Sequence, residues 1–196
     1  MKTIKLSLLA CTALIIGFVS CKKDDVKQPE ETKIIKTDSI RVNMSMRSGP
    51  YTFFSLKNNQ VVANSDSNST KWDFGMRFVN IIVNSHASGP GSAGVITQKG
   101  IYDTYMQAPE NGYAYDTTAN RLAINAGTTT GWYNYNEVTH GFDPKAGMFF
   151  VFKTSDNKYA KLEMLSARYE PFTGPFPEYV WYKFRYTYQA DGTTKF

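Results

Sequence analysis

From Tyr179 to Tyr188 the chain alternates strictly. Val180, Tyr182, Phe184, Tyr186 and Tyr188 fall on one face of an extended segment, and Trp181, Lys183, Arg185 and Thr187 on the other. A period of two held this long fits a half-buried strand and excludes an amphipathic helix. Shorter pieces repeat the signal. Met148 to Phe152 and Tyr159 to Leu165 flank Ser155-Asp156-Asn157, which reads as a hairpin, and Pro171 to Pro177 makes an excursion before the last strand.

The stretch from Lys71 to Gly94 carries the densest pattern. Trp72, Phe74, Met76 and Phe78 share one face of an expected strand, and Ile81, Ile82 and Val83 read as a strand covered on both sides. Ser85 to Gly94 then holds three glycines, a proline and His86. Other expected strands are Ile40–Met46, Tyr51–Leu56, Val61–Val62, Ile101–Met106, Tyr113–Tyr115, Leu122–Ile124 and Trp132–Tyr135. The 13 Tyr, 13 Phe and 3 Trp favour strands. No amphipathic helix and no internal repeat is evident. The expected fold is therefore all-β, a single antiparallel sandwich or barrel-like domain spanning residues 39–196.

Residues 1–20 read as a leader. Lys2 and Lys5 precede an apolar run from Leu6 to Val19, too short to cross a membrane and suited to secretion. Phe18-Val19-Ser20-Cys21 resembles a bacterial lipobox, which makes Cys21 the lipidated first residue of the mature chain; an ordinary cleaved leader with a chance cysteine is the plainer alternative. Cys11 would leave with the leader, so the mature chain would hold no free thiol. Residues 21–38 are charged and poor in apolar side chains, as a tether would be. The formal charge of +5 falls to +3 without Lys2 and Lys5. With no basic cluster or basic helix, nucleic acid is not an expected partner.

Several chemistries find little support. Gly89-x-Gly91-x-x-Gly94 matches a dinucleotide fingerprint as a string, but a strand rather than a helix is expected after it, which removes the phosphate-binding dipole. There is no Gly-x-Ser-x-Gly elbow, no usable cysteine and no His-x-x-x-His pair. Carboxylates are plentiful, so a hydrolase acting through a carboxylate pair stays open.

Trp72-Asp73, the strand ending at Asn84, and Ser88-Gly89-Pro90-Gly91 together resemble the HmuY family, haem-binding surface lipoproteins of the Bacteroidetes. Trp132-Tyr133-Asn134-Tyr135, Thr139-His140, Pro144 and the run Asp156 to Glu163 add to the likeness, which covers roughly residues 40–190. The resemblance implies a HmuY-like all-β fold with the ligand held between protruding loops. It implies haem as ligand, a TonB-dependent outer-membrane haem transporter as partner and a lipid anchor in the outer membrane. Asp24-Asp25 behind Cys21 resembles the surface-export signal of that phylum.

Haem iron takes nitrogen or sulfur axial donors. His140-Gly141 resembles the second of the family's two haem-ligating histidines; the insert that carries the other is replaced here by the short NAGTTTG between Ile124 and Trp132. His86, Met106 and Met148 are the remaining donor candidates, the methionines because some relatives use thioethers. Met44, Met46, Met76 and Met164 sit in strand patterns and read as core. Trp132, Tyr133 and Tyr135 are expected to wall the porphyrin, although the same aromatics could form core or stack on a glycan. A non-enzymatic glycan- or protein-binding lipoprotein is thus the alternative reading.

Overall fold

The computed structural model describes residues 33–45, 48–127 and 129–196. The leader, Cys21 and Met46 lie outside them. Among the described residues eleven strands run in chain order: β1 (Lys33–Asn43), β2 (Thr52–Ser55), β3 (Gln60–Val62), β4 (Phe74–Arg77), β5 (Asn80–Val83), β6 (Gly94–Lys99), β7 (Tyr133–Tyr135), β8 (Phe142–Pro144), β9 (Met148–Lys153), β10 (Tyr159–Tyr169) and β11 (Tyr179–Gln189). The only helical pieces among the described residues are two short 3-10 turns, Asn64–Asp66 and Tyr102–Thr104. The all-β expectation holds.

The alternating C-terminal strand sits inside a five-stranded antiparallel sheet of order β1-β11-β10-β9-β6. Its inward side chains, Val180, Tyr182, Phe184, Tyr186 and Tyr188, are all at most 1% exposed. A second sheet, β3-β2-β4-β5, packs on that face. Phe54 and Phe74 meet Phe184 edge-on at 5.2 and 5.9 Å, and Phe74 lies 5.9 Å from Phe152. Each such buried side chain contributes about 1.5–3 kcal/mol. A smaller cluster, Tyr102, Ala108, Tyr113, Phe149, Val151 and Phe196, covers part of the outer face of the first sheet.

Five expectations needed revision. Residues 33–38, expected in the tether, lie instead in β1, where they pair with β11 from Gln189 to Phe184. Ile101–Met106 forms a 3-10 turn instead of a strand, which buries the Tyr102 ring and lets its hydroxyl meet Thr187 Oγ1 at 3.0 Å. Tyr113–Tyr115 and Leu122–Ile124 form no strand; near them only the single bridges Val95↔Ala114 and Thr118↔Arg121 form. Trp72 leaves the face of Phe74 because the strand starts only at Phe74. It packs with Phe53, Val62 and Ile82, and its Nε1 donates to the Ser67 carbonyl at 2.9 Å.

Three buried polar side chains explain the Lys71–Gly94 motif. Asp73 Oδ2 accepts from Leu56 N at 2.8 Å and Oδ1 from Ser155 N at 3.3 Å. Asn84 donates to the carbonyls of Ser69 and Trp72 and accepts from Gly91 N, each at 2.8 Å. Asp116 accepts from Val83 N and Ala123 N. The glycine loop closes over this group. A Cβ on Gly89 would lie 2.2 Å from Asn84 Oδ1, and one on Gly91 2.5 Å from Ser155 Oγ. These glycines serve close packing, and Gly94 opens a strand, as the rejection of a dinucleotide loop requires.

Burial pushes the Asp73 carboxyl up to about 7, against the opposing pull of the Leu56 and Ser155 amides. The folded protein therefore keeps its proton where the unfolded chain, near 3.8, has lost it. The folded state binds more protons between those values, so this residue makes stability fall as pH rises from about 4 to 7. Urea unfolding across that range should show a decline of up to about 1.4 kcal/mol per pH unit that Asp73→Asn removes. A variant with the wild-type slope would contradict the assignment.

Candidate functional site

β7 and β8 form a separate hairpin, paired from Tyr133↔Pro144 to Tyr135↔Phe142. Its loop is tightly bonded. Asn136 Oδ1 accepts from Val138 N and Thr139 N, and Asn136 N donates to the Gly141 carbonyl. This Asx-type turn carries His140 at a φ of 54°. Tyr135 Oη lies 2.6 Å from His140 Nδ1, and the Tyr169 hydroxyl donates to the His140 carbonyl. Ring and backbone are both held from outside the loop.

The hairpin faces a cleft of about 890 Å³. Four other segments complete it. Met44 and Ser45 follow β1, with Met44 N bonded to the Glu178 carbonyl. Phe78 comes from the β4–β5 turn, its φ of 52° allowing Phe78 N to reach the Asn43 carbonyl at 2.7 Å. Tyr169 closes β10, and Phe172, Pro175, Phe176 and Pro177 come from the loop before β11. Phe142 anchors the wall, edge-on to Phe78 at 5.0 Å and 5.2 Å from Tyr135. Phe172 and Phe176 are 50% and 78% exposed, so the lips present large apolar side chains to solvent. Desolvation, then the neighbouring Tyr135, pushes the Tyr169 hydroxyl up to about 12, so it stays protonated and able to donate.

Of the sequence candidates, His140 and Tyr135 line this cleft. Trp132 and Tyr133 do not. Both are buried behind it, Trp132 with its Nε1 bonded to the Val79 carbonyl and its ring against Tyr182. His86 is exposed in the glycine loop, edge-on to Tyr115. Met106 is exposed beside Tyr102 and Phe196. Met148 opens β9, half-buried among Lys99, Asn134 and Lys145. None of these three lines the His140 cleft. Met44, read from the sequence as core, does line it. The sequence reading also passed over Phe142, Tyr169, Phe172 and Phe176. The Pro-Phe-Thr-Gly-Pro-Phe-Pro run held a usable signal, because its prolines bar sheet pairing and leave its phenylalanines in a loop.

The HmuY protein family model matches residues 49–170. The chain belongs to the HmuY family. Solved HmuY-like structures resemble it at low identity. An apo HmuY analog of Tannerella forsythia is 15% identical at a TM-score of 0.49, covering 83% of this chain and 98% of that one. A Bacteroides vulgatus protein described as HmuY-like and heme binding is 13% identical at a TM-score of 0.44, covering 76% of this chain and 90% of that one. Apo PinO of Porphyromonas gingivitis is 12% identical at 0.46, covering 79% and 97%. No curated protein matches the sequence.

The two tyrosines should matter to the shape of the cleft. Tyr169→Phe removes one hydrogen bond, worth about 1 kcal/mol. Amide exchange in residues 136–141 should accelerate while the amides of β10 and β11 keep their protection. Unchanged exchange in that loop would show that its own turn suffices.

Proposed function

We propose that the protein binds haem in the His140 cleft and acts without catalysis, capturing haem as an iron or porphyrin source. The observation that carries this reading is the cleft itself. It combines aromatic walls, an imidazole and a thioether, the surroundings a porphyrin and its iron require. His140 is the first axial donor in this proposal. With Nδ1–H donating to the Tyr135 oxygen, Nε2 keeps its lone pair for iron, and the hydrogen bond orients the ring. Met44 supplies the second donor, because among the described residues it is the methionine lining the same cleft. Among the described residues the lining contains no Asn or Gln side chain, which makes it a poor sugar site.

The proposal includes delivery. The leader, the lipobox-like residues and Cys21 support a lipid-anchored protein of the outer membrane that passes haem to a TonB-dependent transporter. A palmitate analogue fed to cells should label the wild type and miss Cys21→Ala. Equal labelling of both would remove the anchor.

Haemin titration tests the central claim. The wild type should give a sharpened Soret band that saturates at one equivalent. His140→Ala should weaken binding roughly tenfold or more and shift the spectrum. Met44→Ala should weaken chiefly the ferrous complex, since a thioether prefers the softer iron. Met106→Ala, Met148→Ala and His86→Ala should titrate like the wild type. No saturable Soret change in the wild type would end the haem reading.

A further inference from the structure

The outer face of the five-stranded sheet carries a second groove, built by register. Arg41, Trp181 and Arg168 stand in one row across β1, β11 and β10, and Ser39, Lys183 and Ser166 in the next. Alternation along β11 turns these side chains outward while Val180, Tyr182 and Phe184 fill the core. The register shifts between Met164 and Ser166, leaving Leu165 as the extra residue, 40% exposed. The result is a groove of about 460 Å³ lined by Ser39, Leu165, Ser166, Arg168, Trp181 and Lys183.

Two features set this groove apart from ordinary sheet surface. The first is a fixed, exposed indole. Trp181 is 41% exposed, yet its Nε1 donates to Glu170 Oε1 at 3.3 Å. Glu170 is in turn gripped by Arg41 through Nε at 3.0 Å and Nη2 at 2.6 Å, and the Arg41 guanidinium lies 3.3 Å from the centre of the Tyr179 ring. No cation lies over the indole among the described residues. The second is unspent charge. Arg41 and Arg185 have carboxylate partners, whereas Arg168 and Lys183 have none among the described residues.

We propose that this groove binds an acidic saccharide. The apolar face of one sugar ring stacks on Trp181, a carboxylate of the sugar pairs with Arg168 and Lys183, and Ser39 and Ser166 bond its hydroxyls. A rigid aromatic platform lowers the entropy lost on binding. The chemistry disfavours other acidic partners. An extended peptide adds along a strand edge, and the edge here is β1, one strand away from Trp181, so such a peptide would leave the indole uncovered. A polyphosphate chain would need a longer cationic track, and here Glu170 and Glu163 border the two free cations.

The test uses tetragalacturonic acid as probe and cellotetraose as its neutral counterpart. Trp72 and Trp132 are buried, so a change in tryptophan emission reports on Trp181. The acidic probe should give a saturable emission change that weakens as salt rises, and the neutral one should give none. By calorimetry, Trp181→Ala should abolish binding, and Arg168→Ala with Lys183→Ala should weaken it roughly tenfold or more. Arg168 and Lys183 are exposed and unpaired among the described residues, so their double variant should unfold at the wild-type urea midpoint, and all the variants should titrate with haemin unchanged. No saturable response in the wild type, wild-type heat in Trp181→Ala, or equal binding of the neutral probe would each overturn the proposal.

Discussion

The Asp73 carboxyl is buried where the two sheets meet, and their mutual placement depends on it. One oxygen accepts from Leu56 N, just after β2, and the other from Ser155 N, in the turn between β9 and β10. A single side chain thus ties both layers together. Without it the Leu56 amide would be a buried donor lacking an acceptor, at a cost of about 1–3 kcal/mol, and the half-buried Ser155 amide would lose its partner. The same turn is held from its other side, where Asp156 accepts from Thr154 Oγ1 and from the Tyr188 hydroxyl. Asn84 and Asp116 do for the glycine loop and residues 116–123 what Asp73 does for the sheets.

This stiffness is concentrated away from the cleft, and the division suits a binding protein. The cleft is made of strand ends and loops: the tail of β1, one tight turn, one hairpin and a proline-bound excursion. Its fixed elements are few, and they are polar. The Asn136 turn shapes the loop, Tyr135 holds the imidazole, and Tyr169 holds the backbone. The exposed phenylalanines are not so held. Elements of low local stability are where ligand loops are drawn from.

The strands that bury one face were legible, because alternation states both the conformation and the face. That is why β11 and the β9–β10 hairpin match the sequence reading closely. Short segments were not legible. β7 has three residues, and Trp132 just before it turns its ring inward to reach Val79, so no periodicity separated the core Trp132 and Tyr133 from the cleft-lining Tyr135. Met44 fits the alternation of β1 but lies one residue past its end, where a core position becomes a rim position. His86, Met106, Met148 and His140 all read as loop or strand-end residues. Which of them share a cavity depends on sheet order, which spacing along the chain does not encode.

The full-length pairing of β1 has a consequence for where the cleft stands relative to the start of the sheet. The chain enters the sheet at Lys33, and Met44 reaches the cleft at the strand's other end. At about 3.3 Å per residue the strand alone separates entry point and cleft by roughly 35 Å. The cleft mouth therefore opens at the end of the sheet opposite the one where the chain comes in, with the whole length of β1 between them.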